Sequence, residues 1–459
     1  MNMELQTYAA HRSAILKLGL PLIASNMAQF AIHMTDTIML GWYDVTALAA
    51  VTLASSLFFV VFIVGAGFAF AVTPIVAASA EAGDEAHVRR VTRMGIWLSV
   101  VYGFVFTLPF LWAEPILLAM GQEPEVASAA QDYLFIVAWQ MIPALLVMTL
   151  KSYLAALEHT AVILWATIGT AIMNAVVNYA LIFGNWGAPE LGIQGAAIAS
   201  LLVTLGNVIV LVAYGLIKLP QYKLMQNIWK SDWEIFWRVF RLGWPIGLTS
   251  LAEGGLFTAS AIMMGWIGAI ELAAHGIAIQ LASMTFMIHI GFSQAATVRS
   301  GRALGRQDEP NLRRGAIMAI AMSAAVAFTT VAIFLAIPEL LIEAFIDPSE
   351  PERDMLLSVG VTLLAMAALF QVVDAMQVMA LGLLRGVQDT TVPMVIATIS
   401  YWVIGMPTAY VLAFTLGMGP AGLWLGLVVG LSFAAIFMMW RFWKRSVRIT
   451  LLKSAHPSA

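Results

Sequence analysis

Long uncharged apolar stretches alternate with short polar segments along this chain. The clearest runs from 390 to 440 without one Asp, Glu, Lys or Arg, and Gly417-Met418-Gly419-Pro420 divides it in two. A helix that crosses a bilayer needs roughly 20 mostly apolar residues. By that measure the pattern predicts twelve spans, near 14–39, 45–72, 94–118, 128–156, 161–184, 192–216, 236–264, 271–298, 315–338, 354–384, 391–415 and 420–443. No short apolar region with a small-residue cleavage site stands at the start, so no cleavable signal peptide is expected; Lys17 and Pro21 lead straight into the first span.

Composition agrees. Of 459 residues 61% are hydrophobic and 11% charged, against about 25% charged in soluble domains. The expected fold class is an all-α integral membrane protein. A net charge of −3 offers no basic footprint for nucleic acid, and the absence of cysteine removes disulfides, thiolate metal sites and thiol nucleophiles. With twelve spans, the even-numbered loops and both termini share one side. Of the 23 Lys and Arg, all but Arg353 fall there, which places both termini in the cytoplasm by the positive-inside rule.

The chain repeats itself at an offset of 224 residues. Lys17-Leu18-Gly19-Leu20-Pro21 matches Arg241-Leu242-Gly243-Trp244-Pro245, Leu40-Gly41-Trp42 matches Met264-Gly265-Trp266, and Arg89-Arg90 matches Arg313-Arg314. Further on, Gly192-Ile193-Gln194-Gly195 resembles Gly419-Pro420-Ala421-Gly422. The expected organisation is an N-terminal lobe over 1–217, a cytoplasmic linker over 218–237 and a C-terminal lobe from 238 to 459. Six plus six spans in one orientation give lobes related by an axis along the membrane normal, an arrangement suited to alternating access.

Three of the 26 acidic residues fall inside spans: Asp36, Glu253 and Asp374. An intramembrane carboxylate costs roughly 2.5–3.5 kcal/mol at a helix centre, and no basic residue in a span is expected to pair with them. Either each faces a wet cavity, protonated or holding a cation, or each is a protonated carboxyl joining two helices. Asn26, Gln29, His33 and Asp36 share one stripe of the first helix; Pro21, lower in that helix, frees a carbonyl and permits a bend. Asp374 lies between Gln371 and Gln377, while Gly254-Gly255 follows Glu253. Thr170, Asn174 and Asn178 repeat every four residues in the fifth span. Amide and hydroxyl oxygens beside one carboxylate are hard ligands suited to Na⁺; hydrogen bonding between helices is the competing role for the asparagines. His33, a group that titrates near neutral pH, is open to a coupling or a packing role; for His275 and His289 packing is favoured.

No HExxH, GxSxG or nucleotide-binding glycine loop is present, so the sequence indicates no enzyme and no cofactor. A pump without a nucleotide site must draw on an ion gradient.

On these residues the chain resembles the multidrug and toxic compound extrusion (MATE) transporters, in their NorM-type bacterial branch. The strongest patches are Leu20-Pro21, Thr35-Asp36-Thr37-Ile38-Met39-Leu40-Gly41, Met173-Asn174-Ala175-Val176-Val177-Asn178, Trp244-Pro245-Ile246-Gly247-Leu248 leading to Glu253, and Gln294-Ala295-Ala296-Thr297-Val298-Arg299-Ser300-Gly301. The resemblance implies two six-helix lobes related by a pseudo-twofold axis, and export of organic cations and drugs in exchange for Na⁺ or H⁺. It implies a cation site at Asp36, Asn174 and Asn178 in one lobe and another at Glu253 and Asp374 in the other, with bending of the first helix near Pro21 when Asp36 is protonated. In the repeat Asp36 aligns with Ser260 and Glu253 with Gln29, so the lobes are not chemically equivalent.

The expected function is a secondary active antiporter, monomeric, in the bacterial inner membrane, with small-molecule drugs and membrane lipid as its partners. Two other functions compete. A flippase for lipid-linked precursors should line its cavity with Arg or Lys to hold pyrophosphate. A receptor or channel leaves the duplication and the unpaired acids without a purpose.

Overall fold

The computed structural model describes residues 5–346 and 351–449. It contains twelve helices long and apolar enough to cross a membrane: α1 Tyr8–Tyr43, α2 Ala47–Glu81, α3 Glu85–Phe110, α4 Pro124–Ala156, α5 Thr160–Phe183, α6 Gly192–Lys218, α7 Trp233–Ile267, α8 Ala269–Arg306, α9 Glu309–Ala336, α10 Arg353–Gly386, α11 Thr391–Thr415 and α12 Gly419–Ser446. They correspond one for one to the predicted spans.

The ends differ for physical reasons. Hydropathy registers only the apolar part of a helix, whereas backbone hydrogen bonding continues through charged turns. Thus α2 runs on to Glu81, α3 begins at Glu85, α8 runs on to Arg306 and α9 begins at Glu309. The third and ninth spans also stop short of their predicted ends. Pro109 sits in the last turn of α3, and a separate six-residue helix follows at Glu114–Ala119. After α9 the corresponding helix is Pro338–Glu343, opened by its own proline.

The duplication extends to local geometry. Asp84 caps α3 by accepting from the His87 N–H at 2.8 Å, and Asp308 caps α9 by accepting from the Asn311 N–H at 3.1 Å. The residue before each cap has a left-handed backbone, Gly83 at φ +74° and Gln307 at φ +59°.

By packing, the chain forms two compact units, Met1–Ile23 with Leu248–Ala459, and Ala24–Gly247. In the first, the opening turns of α1 cross α8 so closely that a Cβ on Gly291 would lie 2.8 Å from the Ile23 nitrogen. In the second, the opening turns of α7 cross α2, and a Cβ on Gly67 would lie 2.7 Å from the Gly247 Cα. These two crossings are copies of each other at the offset of 224. Gly19 against Phe292 is repeated by Gly243 against Phe68.

Within the second unit the segment before α7 is pinned to α3. Arg90 Nε donates to Asp232 at 2.5 Å, Trp97 Nε1 to the Ile228 carbonyl at 2.8 Å, and Arg93 to the Asn227 carbonyl at 3.3 Å.

Candidate functional site

In the unit 24–247, α1 and α5 bring Asp36, Asn174 and Asn178 together. The four-residue spacing on α5 stacks the two asparagines on one face, and both are buried. Asn178 Nδ2 donates to Asp36 Oδ1 at 2.6 Å and to Asn174 Oδ1 at 3.2 Å. Its own Oδ1 is buried without a partner, an arrangement that costs about 1–3 kcal/mol unless something satisfies it. Asp36 is half-buried. Thr170, one turn before Asn174, donates its hydroxyl back to the Ala166 carbonyl at 2.7 Å. Tyr133, buried on α4, interacts electrostatically with Asp36; a lone tyrosine in an apolar span gave no sequence signal for this.

Elsewhere on the first-helix stripe, Gln29 and His33 are exposed and Asn26 is half-buried. Helix α1 continues through Pro21, whose ring removes one hydrogen bond from the ladder.

The second cluster lies in the other unit. Gln371, Asp374 and Gln377 are spaced by three on α10 and are 0%, 2% and 0% exposed. At 100° per residue this spacing spreads three side chains over an arc of about 120°. The two glutamines therefore reach opposite neighbours. Gln371 Nε2 donates to the Ala282 carbonyl of α8 at 3.3 Å, and Gln377 Nε2 donates to the Tyr401 hydroxyl of α11 at 2.6 Å. Asp374 sits between them and interacts electrostatically with Glu253 of α7. Four oxygens here, Glu253 Oε1, Gln371 Oε1, Asp374 Oδ1 and Gln377 Oε1, are buried without a hydrogen-bond partner.

Two groups at this cluster were not read from the sequence. Trp402, next to Tyr401, donates its indole N–H to the Ala252 carbonyl at 3.1 Å, and its ring occupies the space beside Gly255. The other is Arg385, which lies in the last turn of α10 and interacts electrostatically with Glu253 and Tyr401. Among the described residues no Lys, Arg or His nitrogen lies within 4.0 Å of Asp36, Glu253 or Asp374 as an ion pair.

His275 and His289 are packing residues. Trp424 Nε1 donates to His275 Nδ1 at 3.1 Å, and His289 Nδ1 meets Ser323 Oγ at 2.9 Å. Among the described residues no group of three or more His, Cys, Asp or Glu could hold a metal ion. The oxygen sets around the acids are amide-rich instead.

Twelve apolar helices, an internal duplication in one orientation and intramembrane acids without ion pairs are the features of a membrane transport protein of the parallel-repeat type. The family model described as MatE matches residues 21–180 and 245–411. A probable multidrug resistance protein NorM of Rhizobium meliloti is 44% identical over 456 residues, covering 99% of this chain and 97% of its own. Its namesake in Agrobacterium fabrum is 43% identical, covering 95% and 94%. The crystal structure of the eukaryotic MATE transporter AtDTX14 superposes with a TM-score of 0.85 at 20% identity, covering 97% of this chain and 99% of that one. The chain belongs to the MatE family. Its relatives are named as transporters and resistance proteins, not as enzymes.

Proposed function

We propose that the chain is a secondary active antiporter that exports amphiphilic cationic drugs in exchange for Na⁺ or H⁺. The observation that carries this reading is the set of four buried, unpartnered oxygens at Glu253, Gln371, Asp374 and Gln377, two of them on carboxyl groups with no ion pair. A proton or a small cation satisfies such a set, and a bulky organic cation competes for the same negative charge. That competition is the coupling, and by linkage it is reciprocal. Asp36 with Asn174 and Asn178 forms the second cation site, in the lobe over 1–217. Glu253 and Asp374 belong to the lobe over 238–459.

Resistance proteins among the bacterial relatives support drugs as the cargo. The location is the bacterial inner membrane, with both termini in the cytoplasm and one chain as the working unit. Efflux of a cationic dye from proteoliposomes, with Na⁺ and H⁺ gradients imposed separately, tests the proposal. Dye movement driven by at least one gradient is the expected result, and no movement under either overturns it.

A further inference from the structure

The duplication lets one half serve as the control for the other. On α2, α3 and α7, Ile75, Val76, Val91 and Ile235 are all buried apolar positions. At the offset of 224 their copies are Arg299, Ser300, Gly315 and His11. These four, with Arg306 and Asn311, line a cavity formed by the opening turns of α1, the end of α8 and the start of α9. The repeat thus sets valine and isoleucine at this junction in one unit, and polar groups around a cavity in the other.

Gly315 keeps the room open. A Cβ there would lie 3.3 Å from His11 Nδ1, tighter than ordinary contact, so the valine of the other copy does not fit unless the ring moves. His11 is itself buried. Arg299 Nη2 donates to its Nδ1 at 3.3 Å, which puts the ring proton on Nε2, 3.3 Å from Asn311 Oδ1. Arg299 Nη2 also donates to Gln6 Oε1 at 2.9 Å. The enclosed space is that of about one water molecule, which admits a single oxygen atom.

The charge pattern differs as well. In the unit 24–247, Asp232 gives Arg90 a carboxylate. The copies of these two residues are Tyr8 and Arg314. Arg314 lies over the Tyr8 ring, 5.3 Å from its centre, and donates to the Gln6 carbonyl at 3.0 Å. An aromatic ring has replaced the built-in anion. Helix α8, at 38 residues, is about 57 Å long and overhangs a hydrocarbon core of roughly 30 Å at both ends. Arg299 lies about 10 Å from the tip of α8 at Arg306, and so at headgroup depth.

We propose that this junction is a phosphate site, taking one oxygen of a phosphate group into the cavity beside Arg299 and Ser300 and meeting the remainder with the part-exposed Arg306. Guanidinium groups match the planar, charged acceptor that phosphate offers. The phosphate comes from the headgroup of an anionic phospholipid or from the free ion, one chemistry with two sources; basic pockets between spanning helices hold lipid headgroups in this way. Bound there, it staples the opening turns of α1 to α8 and α9. The site does not depend on which ion drives transport.

The test is thermal unfolding of the purified full chain in dodecyl maltoside. Dioleoylphosphatidylglycerol is compared with dioleoylglycerol, which has the same acyl chains and no phosphate, and sodium phosphate with sodium chloride at equal ionic strength. Phosphatidylglycerol is expected to raise the melting midpoint by several degrees over dioleoylglycerol, as binding to the folded state does. Gly315→Val and Ser300→Val, which restore the residues of the other copy, should each remove at least half of that rise. An equal rise with sodium phosphate identifies the free ion as the source, and a rise with the lipid alone identifies the headgroup. No rise with either, or the full rise kept by either folded variant, overturns the proposal. If neither variant folds, a phosphatidylglycerol with a photoactivatable headgroup decides on the unaltered protein. Cross-links within 296–316 support the site, and cross-links confined to other segments overturn it.

Discussion

Asn178 directs its amide NH₂ at both Asp36 and Asn174, 2.6 Å and 3.2 Å away, and its own carbonyl oxygen is left buried and unsatisfied. An ionised Asp36 accepts this donor, whereas a neutral amide at position 36 presents it with either a weaker acceptor or a second N–H. Asp36→Asn is therefore expected to cut drug export at least tenfold while the protein still folds and inserts. Resistance in cells lacking other pumps, together with a monodisperse elution profile, checks both halves; full resistance in the variant contradicts the assignment.

Stability and transport should separate at Asp374. A buried charge without an ion pair is a burden on folding, so Asp374→Asn is expected to melt no lower than the unaltered protein in detergent. It should lose the stabilisation by Na⁺ that binding to the folded state confers. Thermal melts at low and high Na⁺ measure this, and an undiminished Na⁺ response in the variant would count against Asp374 as a ligand.

The linker gives a pH-dependent prediction. The hydrogen bond from Arg90 holds the Asp232 carboxyl below the usual carboxylate range, against a smaller opposing effect of burial. A group lowered in the folded state contributes stability above its unfolded value of about 3.9, and that contribution is lost as pH falls through the lowered value. At neutral pH Asp232→Asn is expected to speed proteolysis at Lys223 and Lys230 severalfold. In the unaltered protein comparable cleavage should require acid, with an acid-tolerant protease as the reagent.

The two glycine crossings can be compared directly. At Gly291 a Cβ meets the Ile23 backbone, and at Gly67 it meets that of Gly247. Alanine at either site should destabilise by about 1–3 kcal/mol, the usual range for overpacking. At Gly276, where a Cβ would have open space, alanine should raise stability by about 0.4–1 kcal/mol. Melting temperatures of the three variants test the contrast.

Much of this was legible in the sequence because a bilayer makes charge informative. Twelve spans follow from apolar length, and Asp36, Glu253 and Asp374 stand out by lying inside them. The asparagine pair on α5 was visible from its spacing. What stayed hidden depends on partners rather than periods. Gln29 and His33 share a stripe with Asp36, but a stripe fixes a face and not a neighbour, and both are exposed. Tyr401 and Trp402 lie in a stretch with no charge at all, and the π-helical register of Ile399–Gly405 breaks the periodicity by which they could have been placed. Arg385 lies at a helix end, where hydropathy cannot tell a solvated side chain from one that interacts with Glu253.

The division of the chain at Ile23 and Gly247 does not follow the division of its repeat. The opening turns of each half are packed among residues of the other half, through the same glycines. A single ancestral copy of this repeat, standing alone, would have exposed the groove on its second helix and left its own first turns uncovered. Exchanging those turns between the two halves closes both defects at once, so neither half is expected to fold when expressed without the other.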